Sequence, residues 1–166
     1  MPFLSNIGYI MTNNDVLRRV RYIFDLNDKA MIEIFALGQL EVTREQISQW
    51  LKKDDDPDYK NCHDKQMASF LNGFIVKRRG AKEDGSVPVP EKRLNNNMIF
   101  MKLKIALNLK AEDIIEVISL TEFRLGKHEL SAFFRKSDHK HYRDCKDQVL
   151  RNFLNGLMLR HREKLE

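Results

Sequence analysis

Apolar side chains recur along this chain with a helical period, and they do so twice. Val16, Leu17, Val20, Ile23 and Phe24 fall at i, i+1, i+4, i+7 and i+8, one face of an amphipathic helix. Arg18, Arg19 and Arg21 lie on its polar side. Met31, Ile34, Phe35 and Leu37 form a second stripe that starts near Asn27-Asp28. Ile47, Trp50 and Leu51 form a third, behind a capping box in which Gln46 follows Thr43 by three positions. Met67, Phe70, Leu71, Phe74 and Ile75 form a fourth, with Asp64 read as its cap. The intervening Asp54-Asp55-Asp56-Pro57-Asp58 cannot be helical throughout, because Pro57 lacks a donor and disfavours a helical Asp56. No alternating pattern of useful length is present, so the predicted fold class is all-α.

The same four stripes return 83 residues later. They are Ile99, Phe100, Leu103, Ala106 and Leu107; Ile114, Val117, Ile118 and Leu120; Leu130, Phe133 and Phe134; and Leu150, Phe153, Leu154, Leu157 and Met158. Gly126 with Glu129 and then Asp147 take the capping places. Residues 13–79 align with 96–162 without a gap (96 − 13 = 83), with 17 identical pairs. Asn13-Asn14 and Asn96-Asn97, kept in both copies, read as the N-caps of the first helix. Cys62/Cys145, Asn72/Asn155 and Gly73/Gly156 are kept as well.

A lone copy would bury only about 60% of its unfolded surface. Two such marginal cores gain by docking, so two tandem four-helix repeats related by a pseudo-two-fold axis are expected. The boundaries read as an N-terminal extension at 1–11, a first repeat at 12–79 and a linker at 80–93. The second repeat spans 94–162 and a tail 163–166. Gly85-Ser86, Pro88 and Pro90 give the linker its character, and mobility is expected around Asp84 to Val89.

Composition narrows the class without naming a chemistry. Apolar residues make up 42% and charged residues 32% of the 166, as in a soluble globular protein. No apolar run approaches the ~18 residues that a bilayer demands. The first eleven residues lack the features of a signal peptide, so a cytoplasmic location and no membrane partner are expected. Reduced thiols follow, each cysteine acting as a small buried apolar residue. The net charge is +5, unevenly shared: 12 basic against 11 acidic residues in the first copy, 13 against 8 in the second. Such an excess permits contact with nucleic acid.

The connection from the second helix to the third invites a helix-turn-helix reading. Leu40, Val42, Ile47 and Trp50 would close the turn, and Phe123, Leu125, Leu130 and Phe133 answer them. The candidate nucleic-acid contacts are Arg18, Arg19, Arg21, Arg44, Lys52, Lys53, Lys77, Arg78, Arg79, Lys127, Arg135, Lys136, Arg160 and Arg162. Against this, the left-handed place of the usual turn would hold Glu41 and Arg124 rather than glycine.

The Asn-Gly pair inside the fourth helix forms a candidate notch: Asn72 and Gly73, Asn155 and Gly156, with Glu33 and Glu116 from the second helices. Close helix approach is the bland reading, and a small polar ligand site the functional one. His139-Lys140-His141 near Cys145 offers zinc-ligand types, but the matching Asp56, Asp58 and Cys62 disagree in kind. No metal and no cofactor are expected. No phosphate-cradling loop, nucleophile elbow or protease signature is present, so no enzyme is expected.

The ordered phrases ALGQLEVTREQISQWLKKDDDPDYKNC, FLNGFIVKRRG, EKRLNNN, HELSAFFRKSDHKHYRDC and RNFLNGL resemble the YehS-like family of bacterial proteins, over almost all of residues 12–162. The resemblance implies a bacterial cytoplasmic protein with a tandem domain of unknown function, and brings no catalytic residue or cofactor. The expectation is a regulatory nucleic-acid-binding module. The alternative is a protein-interaction adaptor using an apolar groove between the repeats. An enzyme comes third, and a deep pocket holding Glu33 or Glu116 beside Asn72 or Asn155 would revive it.

Overall fold

The computed structural model describes residues 10–165, with side chains through residue 161. The readings placed on residues 1–9, on Glu166 and on the Arg162 side chain lie outside the described residues. Among the described residues there are eight α-helices and no strand. The first repeat holds α1 (Asn13–Ile23), α2 (Asp28–Leu37), α3 (Arg44–Leu51) and α4 (Asp64–Arg79). The second holds α5 (Asn96–Ala106), α6 (Ala111–Ser119), α7 (Lys127–Phe133) and α8 (Asp147–Leu165).

Side-chain acceptors start α1, α2, α3 and α5, since the first amides of a helix have no partner within it. The caps of α1 and α5 are Thr12 and Asn95, one residue earlier than expected: Thr12 Oγ1 accepts from Asp15 N at 3.1 Å and Asn95 Oδ1 from Met98 N at 2.9 Å. Asn27 caps α2 by accepting from Ala30 N at 2.8 Å. Thr43 and Gln46 form the expected reciprocal box on α3, at 3.1 and 2.9 Å. Asp64 is likewise not a cap but the first residue of α4, preceded by His63. Turns repeat too. Asp25 and Asn108 have φ of 52° and 53°, and Gln39 and Glu122 have 69° and 64°. The left-handed residue therefore falls at Gln39 and Glu122, not Glu41 and Arg124, because the chain reverses as soon as α2 and α6 end.

The paired asparagines clamp a loop instead of capping a helix. Asn14 Nδ2 donates to the carbonyls of Trp50 and Lys60, both at 2.8 Å, and its Oδ1 accepts from Cys62 N at 3.0 Å. Asn97 does the same with Phe133, Arg143 and Cys145, at 3.0, 2.8 and 2.9 Å. One buried amide thus satisfies three backbone groups of an irregular segment that has no ladder of its own.

One apolar core runs through both repeats and contains nearly every predicted stripe residue. Phe35, Phe70 and Phe74 pack in succession, with ring centroids 5.1 and 6.0 Å apart, and Phe100 meets Phe153 at 4.6 Å. Gly73 is where α4 crosses α2: a Cβ there would sit 1.8 Å from the Ile34 carbonyl oxygen. At Gly156 it would sit 2.2 Å from the Val117 carbonyl oxygen, the matching place on α6. Only glycine admits such an approach of two backbones.

The repeats dock by exchanging equivalent parts: α1 packs on α8, and α5 packs on α4. Asp64 accepts from Asn13 Nδ2 of its own repeat at 2.8 Å and from Leu94 N of the other at 2.9 Å. Asp147 mirrors it, accepting from Asn96 Nδ2 at 2.6 Å and Met11 N at 3.2 Å. The N-termini of α1, α4, α5 and α8 therefore meet at one end of the molecule, in a reciprocal clasp. The linker is also tied down, at Pro88 by Asn72 Nδ2 (3.4 Å) and at Glu91 by Lys102 (3.1 Å).

Candidate functional site

Both α4 and α8 start at the clasp and run for 16 and 19 residues toward the opposite end. The last turn of α4 is basic, a preference that the helix dipole rewards. Lys77, Arg78 and Arg79 of α4 occupy the positions of Arg160, His161 and Arg162 of α8 (160 − 77 = 83). Phe24, at the end of α1, joins the two sets. The Arg78 guanidinium lies over its ring at 5.1 Å from the centroid, and the His161 ring sits 6.2 Å away. Phe74 supports the same guanidinium at 5.8 Å. Arg79 is exposed, Arg160 is half-buried, and Lys77 pairs with Glu33 at 2.9 Å across exposed surface. The result is a cationic end with aromatic support, built from both repeats.

Several of the other cations expected to contact nucleic acid are engaged within the protein, and the rest lie apart from this end. Arg18 pairs with Asp15 and donates to the Lys52 carbonyl at 3.0 Å, tying α1 to the end of α3. Arg19 is only 3% exposed and donates to Asn155 Oδ1 at 2.6 Å. Burial lowers its guanidinium pKa to about 10, opposed by Asp15 and reinforced by Arg151 and Arg18. Arg21 binds Asp28 at 2.8 Å, Arg44 approaches the same carboxylate at 3.8 Å, and Lys127 pairs with Glu112 at 3.2 Å. Lys52 and Arg135 are half-buried, while Lys53 and Lys136 stand exposed in the turns after α3 and α7.

The helix pairs also depart from a DNA-reading geometry. Residues 38–43 separate α2 from α3, where about 3–4 are usual. The helices α3 and α7 have only 8 and 7 residues, with Ile47, Trp50, Leu130 and Phe133 turned into the core.

The Asn-Gly notch is not one site. Asn72 and Asn155 are buried and face the first helix of the opposite repeat: Lys102 donates to Asn72 Oδ1 at 2.6 Å as Arg19 does to Asn155. Glu33 and Glu116 are exposed on the outer faces of α2 and α6. The seam is a packed, hydrogen-bonded interface, not an apolar groove. At the clasp end lies an open concavity of about 590 Å³, lined by Met11, Asn61, His63, Asp64, Lys92 and Asn95 among others. Among the described residues no three His, Cys, Asp or Glu side chains gather as a metal would need. Nor, among the described residues, is any helix long and apolar enough to cross a membrane. His139 and His141 lie 5.6 Å apart, with His139 Nδ1 accepting from His141 N at 3.0 Å. Cys62 and Cys145 are buried free thiols; burial, and then Asp64 or Asp147 nearby, pushes each pKa up to about 12.

Sequence reasoning missed the clasp and the crossed bonds of the seam. The signal was present in the identical pairs Asp64/Asp147 and Asn72/Asn155. Partners in the other repeat are invisible, however, when each copy is read alone. Phe24 carried no such signal, since Leu107 stands in its place.

Tandem helical repeats with a shared core and reciprocal docking define a two-repeat all-α protein. The chain belongs to the family described as "Protein of unknown function (DUF1456)", whose model matches residues 13–80 and again 96–163. It is 44% identical over 154 residues to "Uncharacterized protein YehS" of Escherichia coli (strain K12), covering 93% of this chain and 99% of that protein. No solved structure matches it.

Proposed function

We propose that this protein is a non-enzymatic, regulatory nucleic-acid-binding module that holds the phosphate backbone across its cationic end. The observation that carries this reading is the convergence of Arg78 and His161 on Phe24, which sets the basic last turn of α4 beside α8. Phosphate contacts need clustered, solvent-facing cations, and Arg78 and Arg79 stand exposed side by side in the last turn of α4. The binding face is thus the end of the bundle and not α3.

Titration of fluorescent single-stranded and duplex oligonucleotides at rising salt tests the reading. Binding should weaken linearly in log–log terms as salt rises, since each phosphate contact releases counterions. Replacing Lys77, Arg78 and Arg79 together by Glu should weaken it by about tenfold or more at low salt. The same replacement at Arg44 and Lys127 should leave it nearly unchanged. Absence of binding to either oligonucleotide at low salt sinks the idea.

A further inference from the structure

The face by which the repeats dock is reciprocal, and nothing in it distinguishes a neighbour in the same chain from one in another. Asp64 takes Leu94 N and Asp147 takes Met11 N. Asn72 takes Lys102, while Asn155 takes Arg19. The apolar stripe of α1 is covered by α8 and that of α5 by α4, so each repeat depends on the other to complete its core.

The connection between them is long. With the N-termini of α4 and α5 together at the clasp, residues 80–95 must travel back along all of α4. That helix, of 16 residues, measures about 24 Å. Fully extended, the connection would reach about 50 Å, twice what the return requires. Residues 81–86 are exposed throughout.

We propose that the docking face also accepts the opposite repeat of a second copy of this chain, giving a closed dimer by exchange of repeats. In that dimer the first repeat of one chain docks on the second repeat of its partner, and every clasp and seam bond is remade between chains. The cationic end is then assembled from two chains, with Phe24 and Arg78 from one and His161 from the other. A tether of this length holds the intramolecular partner at an effective concentration of about a millimolar, so the single-chain form dominates in dilute solution. Shortening the tether reverses the preference.

Deleting residues 81–90 joins Gly80 to Glu91. Only four peptide units then separate Gly80 from Leu94, about 14 Å, too short for Leu94 to reach Asp64 of its own chain. This variant should run as two chains per particle by light scattering, with unchanged helicity per residue. Replacing 81–90 by ten Gly and Ser residues should restore one chain. The unaltered protein, refolded from denaturant at about 1 mM, should give a dimer fraction that survives dilution. Refolded near 1 µM, it should give monomer alone. A folded single-chain particle from the deletion variant overturns the proposal. If that variant precipitates, refolding decides: monomer at every concentration overturns it equally.

Discussion

The two ends of this molecule follow opposite rules. At the clasp the repeats are identical where it matters: Asn13/Asn96, Asn14/Asn97, Cys62/Cys145 and Asp64/Asp147 make the same bonds on both sides of the axis. At the cationic end Arg79 and Arg162 are kept but other equivalent positions differ, with Arg78 opposite His161 and Phe24 opposite Leu107. The clasp carries backbone groups that must be satisfied in any folded state, so change there is costly. The far end consists of side chains already in or near water, where change costs little. Identity between the copies is therefore kept in these clasp residues, while the cationic end has been free to diverge.

The largest test of this contrast is steric. Gly73→Ala drives a methyl group to 1.8 Å from the Ile34 carbonyl oxygen and must push α2 off α4. A loss of about 3 kcal/mol in urea unfolding is expected. Gly156→Ala should cost less, since its contact is 2.2 Å. A neutral Gly73→Ala would break the account of the crossing.

Next come the asparagine clamps. Asn14→Ala leaves the buried Cys62 amide and two carbonyls without their partner, for about 2–3 kcal/mol. Asn97→Ala should lose an equal amount. A large loss from one and none from the other would show that only one repeat relies on its clamp.

A pH series sharpens the clasp further. Each thiol ionises near 9.0 when unfolded but only near about 12 when folded. The unfolded state therefore releases these protons first, and the stability they contribute, fully present below pH 9, falls as pH rises toward 12. Unfolding of the Cys62→Ala, Cys145→Ala double variant should show a shallower decline over that range than the unaltered protein.

The smallest effect belongs to the far end. Lys77→Ala breaks an ion pair whose partners are both about half exposed, so stability should move by under about 0.5 kcal/mol. Arg79→Ala should do no more. A Lys77→Ala variant that lost stability like Asn14→Ala would erase the difference between the ends.

Much of the fold was legible because helical periodicity and capping chemistry are local. Every predicted stripe found its helix, and Thr43 with Gln46 made the box its spacing promised. The misplaced features all depend on distant partners. Asn14 looked like a cap because asparagine favours caps, yet its partners lie 36 to 48 residues away. Arg18, Arg19 and Arg21 looked like a wet basic face, because periodicity cannot reveal that a second helix covers it. Lys77, Arg78 and Arg79 were visible as a cluster; only the axis that carries His161 to Phe24 shows what they join.

The crossed bonds of the seam bear on how such a protein can change over generations. In an assembly of separate identical subunits every substitution appears on both sides of the axis at once, and each must suit itself. Here Arg19 on Asn155 faces Lys102 on Asn72, with Glu91 added on one side only. Joining the halves in one chain releases each from having to complement its own copy. That freedom is enough for one half to gain a histidine loop and extra positive charge while the other keeps its acids.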